Sequence, residues 1–139
     1  MAHANHDIVR KFIDAMSAGD IGDDLVTPDF KVWIVANKGF VGKDAYVHGI
    51  ALLPRVFPDK LIFRIHSLTA EGDRVIAEFS GDGTTRDGEH YHNDYLYLFK
   101  IREGRVYFLA EYLDLDAMRG VLIPAMQALP KGQASEPGF

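Results

Sequence analysis

The sequence has no cysteine among its 139 residues. This absence excludes disulfide bonds, thiol catalysis and cysteine-ligated zinc, and it fits a reducing compartment. No apolar run reaches the roughly 20 residues that a membrane-spanning helix needs, and the first 12 residues contain no apolar signal core. We therefore predict a cytoplasmic protein that has no membrane partner.

Positive charge is scarce and scattered. The chain has 15 lysines and arginines against 20 aspartates and glutamates, which gives a formal net charge of −5. The longest basic run is the pair Arg10-Lys11. Because nucleic-acid binding depends on clustered lysine and arginine, we do not expect a nucleic-acid partner.

Several chemical motifs are also missing. There is no glycine-rich phosphate loop, no dinucleotide-binding fingerprint and no nucleophile elbow. With 47% hydrophobic residues, the chain has the composition of an ordinary globular protein. We predict one domain over residues 1–139, with residues 1–4 and 130–139 as mobile tails and no cofactor.

Apolar periodicity and turn signals divide the chain into a helical first part and a strand-rich second part. The predicted helices span residues 5–19, 20–26 and 44–56, and the predicted strands span residues 30–36, 61–68, 74–81, 91–101 and 106–113. Helices segregated from a run of antiparallel strands are typical of the α+β class.

One face of the predicted strand 91–101 is unusually aromatic. Alternate residues of a strand share a face, and here they are Tyr91, Asn93, Tyr95, Tyr97 and Phe99. Such a face suits the wall of a ligand pocket, which combines apolar surface with a few polar groups. The alternative is a core face whose tyrosine hydroxyls reach water at its edge.

Glu111 interrupts the apolar run of residues 106–113. Burial of a carboxylate is costly unless the group is paired or protonated, and it raises the pKa toward the range useful for general acid–base catalysis. The alternative is a glutamate that is ion-paired or exposed at the strand end. The pattern alone leaves both interpretations open.

His48 lies on a mostly apolar stripe of the helix 44–56, with Leu52 one turn later. A lone helix histidine is more often structural than catalytic. In the segment His90-x-His92-x-Asp94, the two histidines share a strand face and could bind one metal ion. A polar strand end is favoured there, because Asp94 lies about 13 Å from His90 along an extended strand. We predict no metal site.

Three strings of the sequence resemble the SnoaL-like branch of the NTF2-like superfamily, most closely the phenazine-biosynthesis PhzA/PhzB proteins. They are Tyr91-x-Asn93-x-Tyr95-x-x-x-Phe99, the turn Glu103-Gly104-Arg105-Val106, and Glu111-Tyr112-Leu113-Asp114. Earlier segments of the sequence resemble the same branch in order and spacing: Gly42-Lys43, His48, Phe57-Pro58-Asp59 and residues 71–75. The resemblance covers residues 30–118.

This resemblance implies a cone, made of a curved antiparallel sheet wrapped by N-terminal helices, and a homodimer through the outer face of the sheet. It implies acid–base roles for His48 and Glu111, with Asp114 as an alternative acidic residue of the polyketide-cyclase type. Leu52 stands where the phenazine proteins have a serine, and their active-site arginine has no clear counterpart. The phenazine condensation itself is therefore disfavoured.

Together, these observations predict an acid–base enzyme for a small, largely apolar cyclic or carbonyl compound. It would be an isomerase, cyclase, dehydratase or condensing enzyme, with hydrogen bonds from Asn93, Tyr95 and Tyr97 to developing charge. Trp33 and Tyr91 would shape the pocket. The alternatives are a non-catalytic carrier of a hydrophobic molecule, and a dimerisation module whose pocket is filled by its own side chains.

Overall fold

The computed structural model describes residues 2–130, with side chains from residue 4 onward. The helical elements are α1 (Ala2–Ala18), α2 (Lys43–Ala51), α3 (Leu53–Val56), α4 (Leu115–Ala117), a π-helical turn (Met118–Leu122) and α5 (Ile123–Gln127). The strands are β1 (Val26–Ile34), β2 (Gly39–Gly42), β3 (Ile62–Glu71), β4 (Arg74–Thr84), β5 (His90–Arg102) and β6 (Arg105–Leu113).

The six strands form one curved sheet in the order β2-β1-β6-β5-β4-β3. Every neighbouring pair is antiparallel except β1 and β6, which run parallel. The predicted α+β class and NTF2-like architecture are confirmed. The sheet is mixed, however, because the first strand, β1, lies parallel to the last strand, β6.

The N-terminal helix ends where the sequence predicted. Gly19 has a φ of +72°, and the backbone N–H of Asp20 donates to the carbonyl of Ala15 across 3.0 Å. A glycine in the left-handed region closes a helix in this way because it has no Cβ to clash. Residues 2–4 belong to α1 rather than to a mobile tail, whereas residues 131–139 of the other predicted tail lie outside the described residues.

Two predictions near the N-terminus need correction. Residues 20–26 form turns and the start of β1 rather than a helix. The reason is a tertiary one: Val26 pairs with Val106 of β6, and the N–H of Val106 donates to the carbonyl of Leu25 across 2.8 Å. The predicted helix 44–56 is present in two pieces, α2 and α3, because Pro54 occupies the first turn of the second.

The alternation predicted for the long aromatic strand is confirmed. Tyr91, Asn93, Tyr95, Tyr97 and Phe99 of β5 are all buried, whereas His90, His92, Asp94 and Leu96 on the opposite face are exposed. The buried face packs under α1, whose inward residues Val9, Phe12, Ile13 and Met16 are at most 2% exposed. The core therefore lies between α1 and the concave face of the sheet.

Two features were not predicted from the sequence. The first is the short edge strand β2, and the second is the helical segment from Leu115 to Gln127 that follows β6. None of the helices formed by residues 2–130 is both long and apolar enough to cross a bilayer.

Candidate active site

A cavity of about 720 Å³ opens between the concave face of the sheet, helices α2 and α3, and the C-terminal helical segment. Most of its lining side chains are aliphatic or aromatic, and the lining residues are Met16, Ile34, Ala36, Asn37, Val41, Ala45, Tyr46, Gly49, Ile50, Leu52, Leu53, Leu61, Phe63, Tyr91, Tyr95, Tyr97, Glu111, Leu113, Met118, Leu122, Ile123, Met126, Gln127 and Leu129. Its volume lies in the range of small-molecule sites. A cone filled by its own side chains would not leave such a cavity, so this structure argues against that hypothesis.

Within the part of the chain that the structure describes, Glu111 is the one carboxylate that lines this cavity. It lies on β6, directly opposite Tyr97 of β5 and beside Ile34 of β1, and it is 5% exposed. Burial raises the pKa of this carboxyl from 4.5 to about 7, against a smaller lowering by the hydroxyls of Tyr46 and Tyr97. At neutral pH the group therefore exists in both protonation states.

No positive charge compensates Glu111 within the described part of the chain. None of the cavity-lining residues is a lysine, arginine or histidine, and the ion pairs found among the described residues do not include Glu111. The ion-paired interpretation of this glutamate is therefore excluded for the side chains of residues 4–130. A buried acid without a counter-ion is typical of sites that transfer protons.

Tyr46 brings a second polar group to the acid. It lies on the inward face of α2, is 6% exposed, and its buried Oη atom has no hydrogen-bond partner of regular geometry among the described residues. Burial and the neighbouring Glu111 raise the pKa of its phenol well above the ordinary value. Its hydroxyl therefore lies beside the acid, where it favours the carboxylate form of Glu111.

A chain of hydrogen bonds runs along the buried face of β5. The Asn93 side-chain Nδ2 donates to Tyr91 Oη across 2.8 Å, and Tyr91 Oη and Tyr95 Oη are 3.2 Å apart. The backbone of Asp114 anchors this chain: its N–H donates to Asn93 Oδ1 across 2.8 Å, and its carbonyl accepts from Asn93 Nδ2 across 3.1 Å. Tyr91 and Tyr95 line the cavity, but Asn93 does not.

The structure does not bring His48 to Glu111. His48 is exposed and lies outside the cavity lining, whereas Tyr46 and Ile50 of the same helix are buried and face inward. Successive helix residues are 100° apart around the axis, so the direction of His48 differs by about 160° from that of Tyr46 and from that of Ile50. The predicted contact between His48 and Glu111 is wrong, and Tyr46 occupies the place expected for the histidine.

Two further predicted site residues lie elsewhere. Trp33 neighbours the cavity residue Ile34 on β1 and therefore projects from the opposite, outer face, where its ring lies 5.3 Å from that of Tyr112. Asp114 is exposed, and its carboxylate accepts from the N–H of Asp116 across 2.9 Å at the start of α4. Trp33 therefore does not shape the pocket, and the Asp114 side chain caps a helix.

Leu52 lies where the prediction placed it, in the cavity wall at the break between α2 and α3. The residues that sequence analysis missed are Tyr46 and the C-terminal wall formed by Met118, Leu122 and Met126. The spacing of Leu115, Met118, Leu122, Ala125 and Leu129 at three and four residues is a helical signal that could have revealed this segment.

His90, His92 and Asp94, at the start of β5, do not have the geometry of a metal site. His92 Nδ1 lies 2.8 Å from an Asp82 oxygen, and His92 Nε2 lies 3.1 Å from an Asp94 oxygen. Hydrogen bonding to these two carboxylates raises the pKa of His92. Across the described chain no group of three metal-ligating side chains comes together.

Comparison with known proteins places the chain in a family. Residues 9–108 match the model of the SnoaL-like domain. The chain belongs to the SnoaL-like domain family. No curated protein matches it in sequence, and the closer likeness to the PhzA/PhzB proteins stays a prediction.

Solved structures of the same fold include several proteins of low sequence identity. A proposed SnoaL-like polyketide cyclase from Jannaschia sp. CCS1 is 22% identical, with a TM-score of 0.71, and the match covers 94% of this chain and 96% of that one. A proposed isomerase from Bacillus subtilis is 21% identical, with a TM-score of 0.72 and coverages of 86% and 93%. TerC, co-crystallised with polyporic acid, is 16% identical, with a TM-score of 0.70 and coverages of 86% and 98%. These likenesses establish the fold.

Proposed function

We propose that this SnoaL-like protein is a cofactor-independent acid–base enzyme that acts on a neutral, largely apolar cyclic carbonyl compound. The observation that carries the proposal is Glu111, a buried carboxyl without a counter-ion in the described chain, whose pKa is raised to about 7 inside a cavity of about 720 Å³. A general base works best when its pKa lies near the working pH.

The proposed step is a proton transfer at a carbon next to a carbonyl group. The Glu111 carboxylate takes the proton, the C–H bonding electrons move into the adjoining C–C bond, and the carbonyl oxygen becomes an enolate oxygen. Hydroxyl donors at Tyr46, Tyr95 or Tyr97 stabilise this negative charge. The protonated Glu111 then returns the proton to another atom of the substrate, which gives an isomerisation. Alternatively, the enolate carbon attacks a second carbonyl carbon, the π electrons of that carbonyl move to its oxygen, and this oxygen takes the proton from Glu111, which gives a cyclisation.

The lining of the cavity supports a neutral substrate. A carboxylate or phosphate on the substrate would have to be buried beside Glu111 without a basic partner, and unpaired burial of charge is costly. Aromatic rings from Phe63, Tyr91, Tyr95 and Tyr97 line one side of the cavity, which suits a flat ring system. Two of the solved structures of the same fold are a proposed cyclase and a proposed isomerase, which is consistent with this chemistry.

A carrier function is the second candidate, and the apolar walls support it as well. The two functions differ in what they require of Glu111. A carrier has no use for a carboxyl that titrates near neutral pH, whereas a proton-transfer enzyme depends on it.

Exchange of α-protons for deuterium tests the proposal. Cyclic and aryl ketones are incubated in D₂O with the wild-type protein, and the loss of the α-proton signal is followed by ¹H NMR. We expect catalysed exchange for at least one ketone, and a fall of about 100-fold or more in Glu111→Gln, which keeps the shape of the side chain and removes the base.

His48→Ala is the matched control. The structure places His48 outside the cavity, so this variant should exchange at the wild-type rate. Equal rates in wild-type protein and Glu111→Gln would contradict the enzyme proposal and favour the carrier. Loss of exchange in His48→Ala would mean that the histidine reaches the substrate after all.

A further inference from the structure

We infer that Tyr95 presents a fixed O–H donor to the cavity, that Asn93 sets the direction of this donor through Tyr91, and that the ligand therefore carries a hydrogen-bond-accepting oxygen at this position. The inference rests on the proposed function only in taking the cavity as a ligand site. It changes the role of Asn93 from a ligand contact to a positioning residue.

The orientation of the Asn93 amide is fixed by the backbone. Its Oδ1 atom accepts from the N–H of Asp114, a group that can only donate. The other end of the amide is therefore Nδ2, and its two hydrogens are directed to the carbonyl of Asp114 and to Tyr91 Oη. Asn93 is 0% exposed, so no solvent competes for these bonds.

The Tyr91 hydroxyl must consequently accept from Asn93 and donate its own hydrogen elsewhere. The Tyr91 side chain is 0% exposed, so water cannot take this hydrogen. Within the described residues, the remaining partner is Tyr95 Oη at 3.2 Å. If Tyr95 donated to Tyr91 instead, the buried Tyr91 hydrogen would have no acceptor, which is the costlier arrangement.

Tyr95 thus accepts from Tyr91, and its own hydrogen is left for the cavity. Tyr95 is 6% exposed and lines the cavity, and its described neighbours provide no other hydrogen-bond acceptor. Tyr97 follows two residues later on the same face, opposite Glu111.

This geometry favours a ketone or quinone oxygen over an ammonium or another group that can only donate. The donor is also prepared in advance: its direction is set by a chain that begins at a backbone amide, so binding does not require it to reorient. Such pre-orientation is what stabilises a developing enolate charge.

Neutron diffraction on a ligand-free, deuterium-exchanged crystal tests the direction of the chain without any ligand. We expect one deuterium between Tyr91 Oη and Tyr95 Oη that is bonded to Tyr91, and a second on Tyr95 that points into the cavity. A deuterium that is bonded to Tyr95 and directed at Tyr91 would overturn the inference.

Infrared spectroscopy of bound ketones tests the ligand contact. The probes are acetophenone, 2-acetylnaphthalene and 9-acetylanthracene, and the carbonyl stretch of each bound ketone is compared in wild-type protein and Tyr95→Phe. We expect a lower frequency in the wild type, because the carbonyl accepts a hydrogen bond there, and an affinity about threefold to tenfold higher, the range for a neutral hydrogen bond.

Asn93→Asp tests the positioning role. The spectra are recorded at a pH high enough to ionise this buried carboxyl. An ionised carboxylate at residue 93 can only accept, so Tyr91 would donate to it and Tyr95 would donate to Tyr91. The carbonyl frequency of the probe should then rise toward that in Tyr95→Phe although the Tyr95 hydroxyl is still present. Tyr107→Phe, which removes an exposed hydroxyl next to Asp73 on another face, is the control and should match the wild type.

The outcomes separate this inference from the proposed function. Equal frequencies in wild-type protein and Tyr95→Phe would overturn the donor role, and failure of all three ketones to bind the wild type would overturn the ligand class. A frequency shift without α-proton exchange would uphold the Tyr95 donor while contradicting the enzyme proposal. If Asn93→Asp does not fold, the comparison with Tyr95→Phe still tests the donor role of Tyr95, and the neutron map still tests the direction of the hydrogen bonds.

Discussion

At the scale of the residue, the site depends on a conflict between burial and charge at Glu111. Desolvation favours the neutral acid, while the nearby hydroxyls of Tyr46 and Tyr97 favour the carboxylate. Neither effect is large enough to abolish the other form near pH 7. A carboxyl held in this balance can both take up and release a proton.

The raised pKa of Glu111 makes the stability of the folded protein depend on pH. In the unfolded chain the group ionises near 4.5, and in the folded protein near 7. The folded state therefore binds the proton more tightly, and its stability falls as the pH rises from about 4.5 to about 7. The full penalty, present above pH 7, is about 3 kcal/mol, at 1.36 kcal/mol for each pKa unit.

Glu111→Gln should remove this dependence, because the amide is never ionised. We expect the variant to gain stability relative to the wild type by up to about 3 kcal/mol between pH 4 and pH 8. Urea unfolding of both proteins at several pH values measures this difference. A constant difference over the whole range would show that Glu111 has an ordinary pKa in the folded protein.

At the scale of the element, helix ends decide which faces reach the cavity. The break between α2 and α3 at Leu52 and Pro54 turns the chain so that Leu52 and Leu53 both line the cavity. The same proline lies against Gly19 at the end of α1. This contact joins the helix that covers the core to the pair of helices that forms one cavity wall.

Gly19→Ala is therefore expected to destabilise the protein. The residue has a φ of +72°, and an added Cβ would lie 2.5 Å from Cγ of Pro54. The left-handed backbone alone costs roughly 1 kcal/mol for alanine, and the contact with a rigid ring adds to it, so we expect a loss of about 2 kcal/mol or more. Chemical denaturation measures it.

Gly120→Ala is the matched control for that substitution. Gly120 lies in the π-helical turn, and an added Cβ would meet nothing within 4 Å. Its stability should stay within about 0.5 kcal/mol of the wild type or increase slightly, since alanine is the better helix former. A similar loss in both variants would show that the contact with Pro54 is unimportant.

The C-terminal helical segment shows why element prediction failed at one place. The sequence analysis assigns no helix to residues 115–129, although they close one side of the cavity through Met118, Leu122 and Met126. Their helical spacing is interrupted by Gly120 and Pro124, and the segment is correspondingly divided into a short α-helix, a π-helical turn and a second short helix. Local propensity is weak there, and packing on the cavity stabilises it.

At the scale of the whole molecule, the outer face of the sheet carries exposed apolar residues. Leu96 of β5 and Tyr112 of β6 are cross-strand partners, 49% and 47% exposed, and Ile76 of the next strand is 42% exposed. The Trp33 ring lies against Tyr112 on the same face. Because these residues form a continuous patch on adjacent strands, we propose that a second copy of the chain covers this face.

Leu96→Lys should disrupt this homodimer, because it would bury an unpaired lysine in an apolar contact. Light scattering coupled to size-exclusion chromatography should give about twice the chain mass for the wild type and the chain mass for the variant. Ile62→Lys should remain dimeric, because Ile62 lies at the end of the edge strand β3, two strands away from β5 and outside the patch of Leu96, Tyr112 and Ile76. A monomeric wild type would refute the proposal.

The sequence by itself determined the features that depend on local pattern. The alternation of β5 required all five polar and aromatic residues of one face to share an environment. The interrupted apolar run around Glu111 left a buried acid as one of two interpretations. The turns at glycines, the end of α1 and the α+β class followed from the same local signals. These predictions succeeded because period and turn chemistry act over a few residues.

The tertiary structure alone decided which faces meet. Helix α2 has little amphipathic contrast, so its rotation was not encoded locally, and packing directed Tyr46 rather than His48 toward Glu111. In the same way, the parallel pairing of β1 with β6 placed Ile34 inside and Trp33 outside. A site residue is defined by distances between elements far apart in sequence, and such distances depend on how the whole core packs.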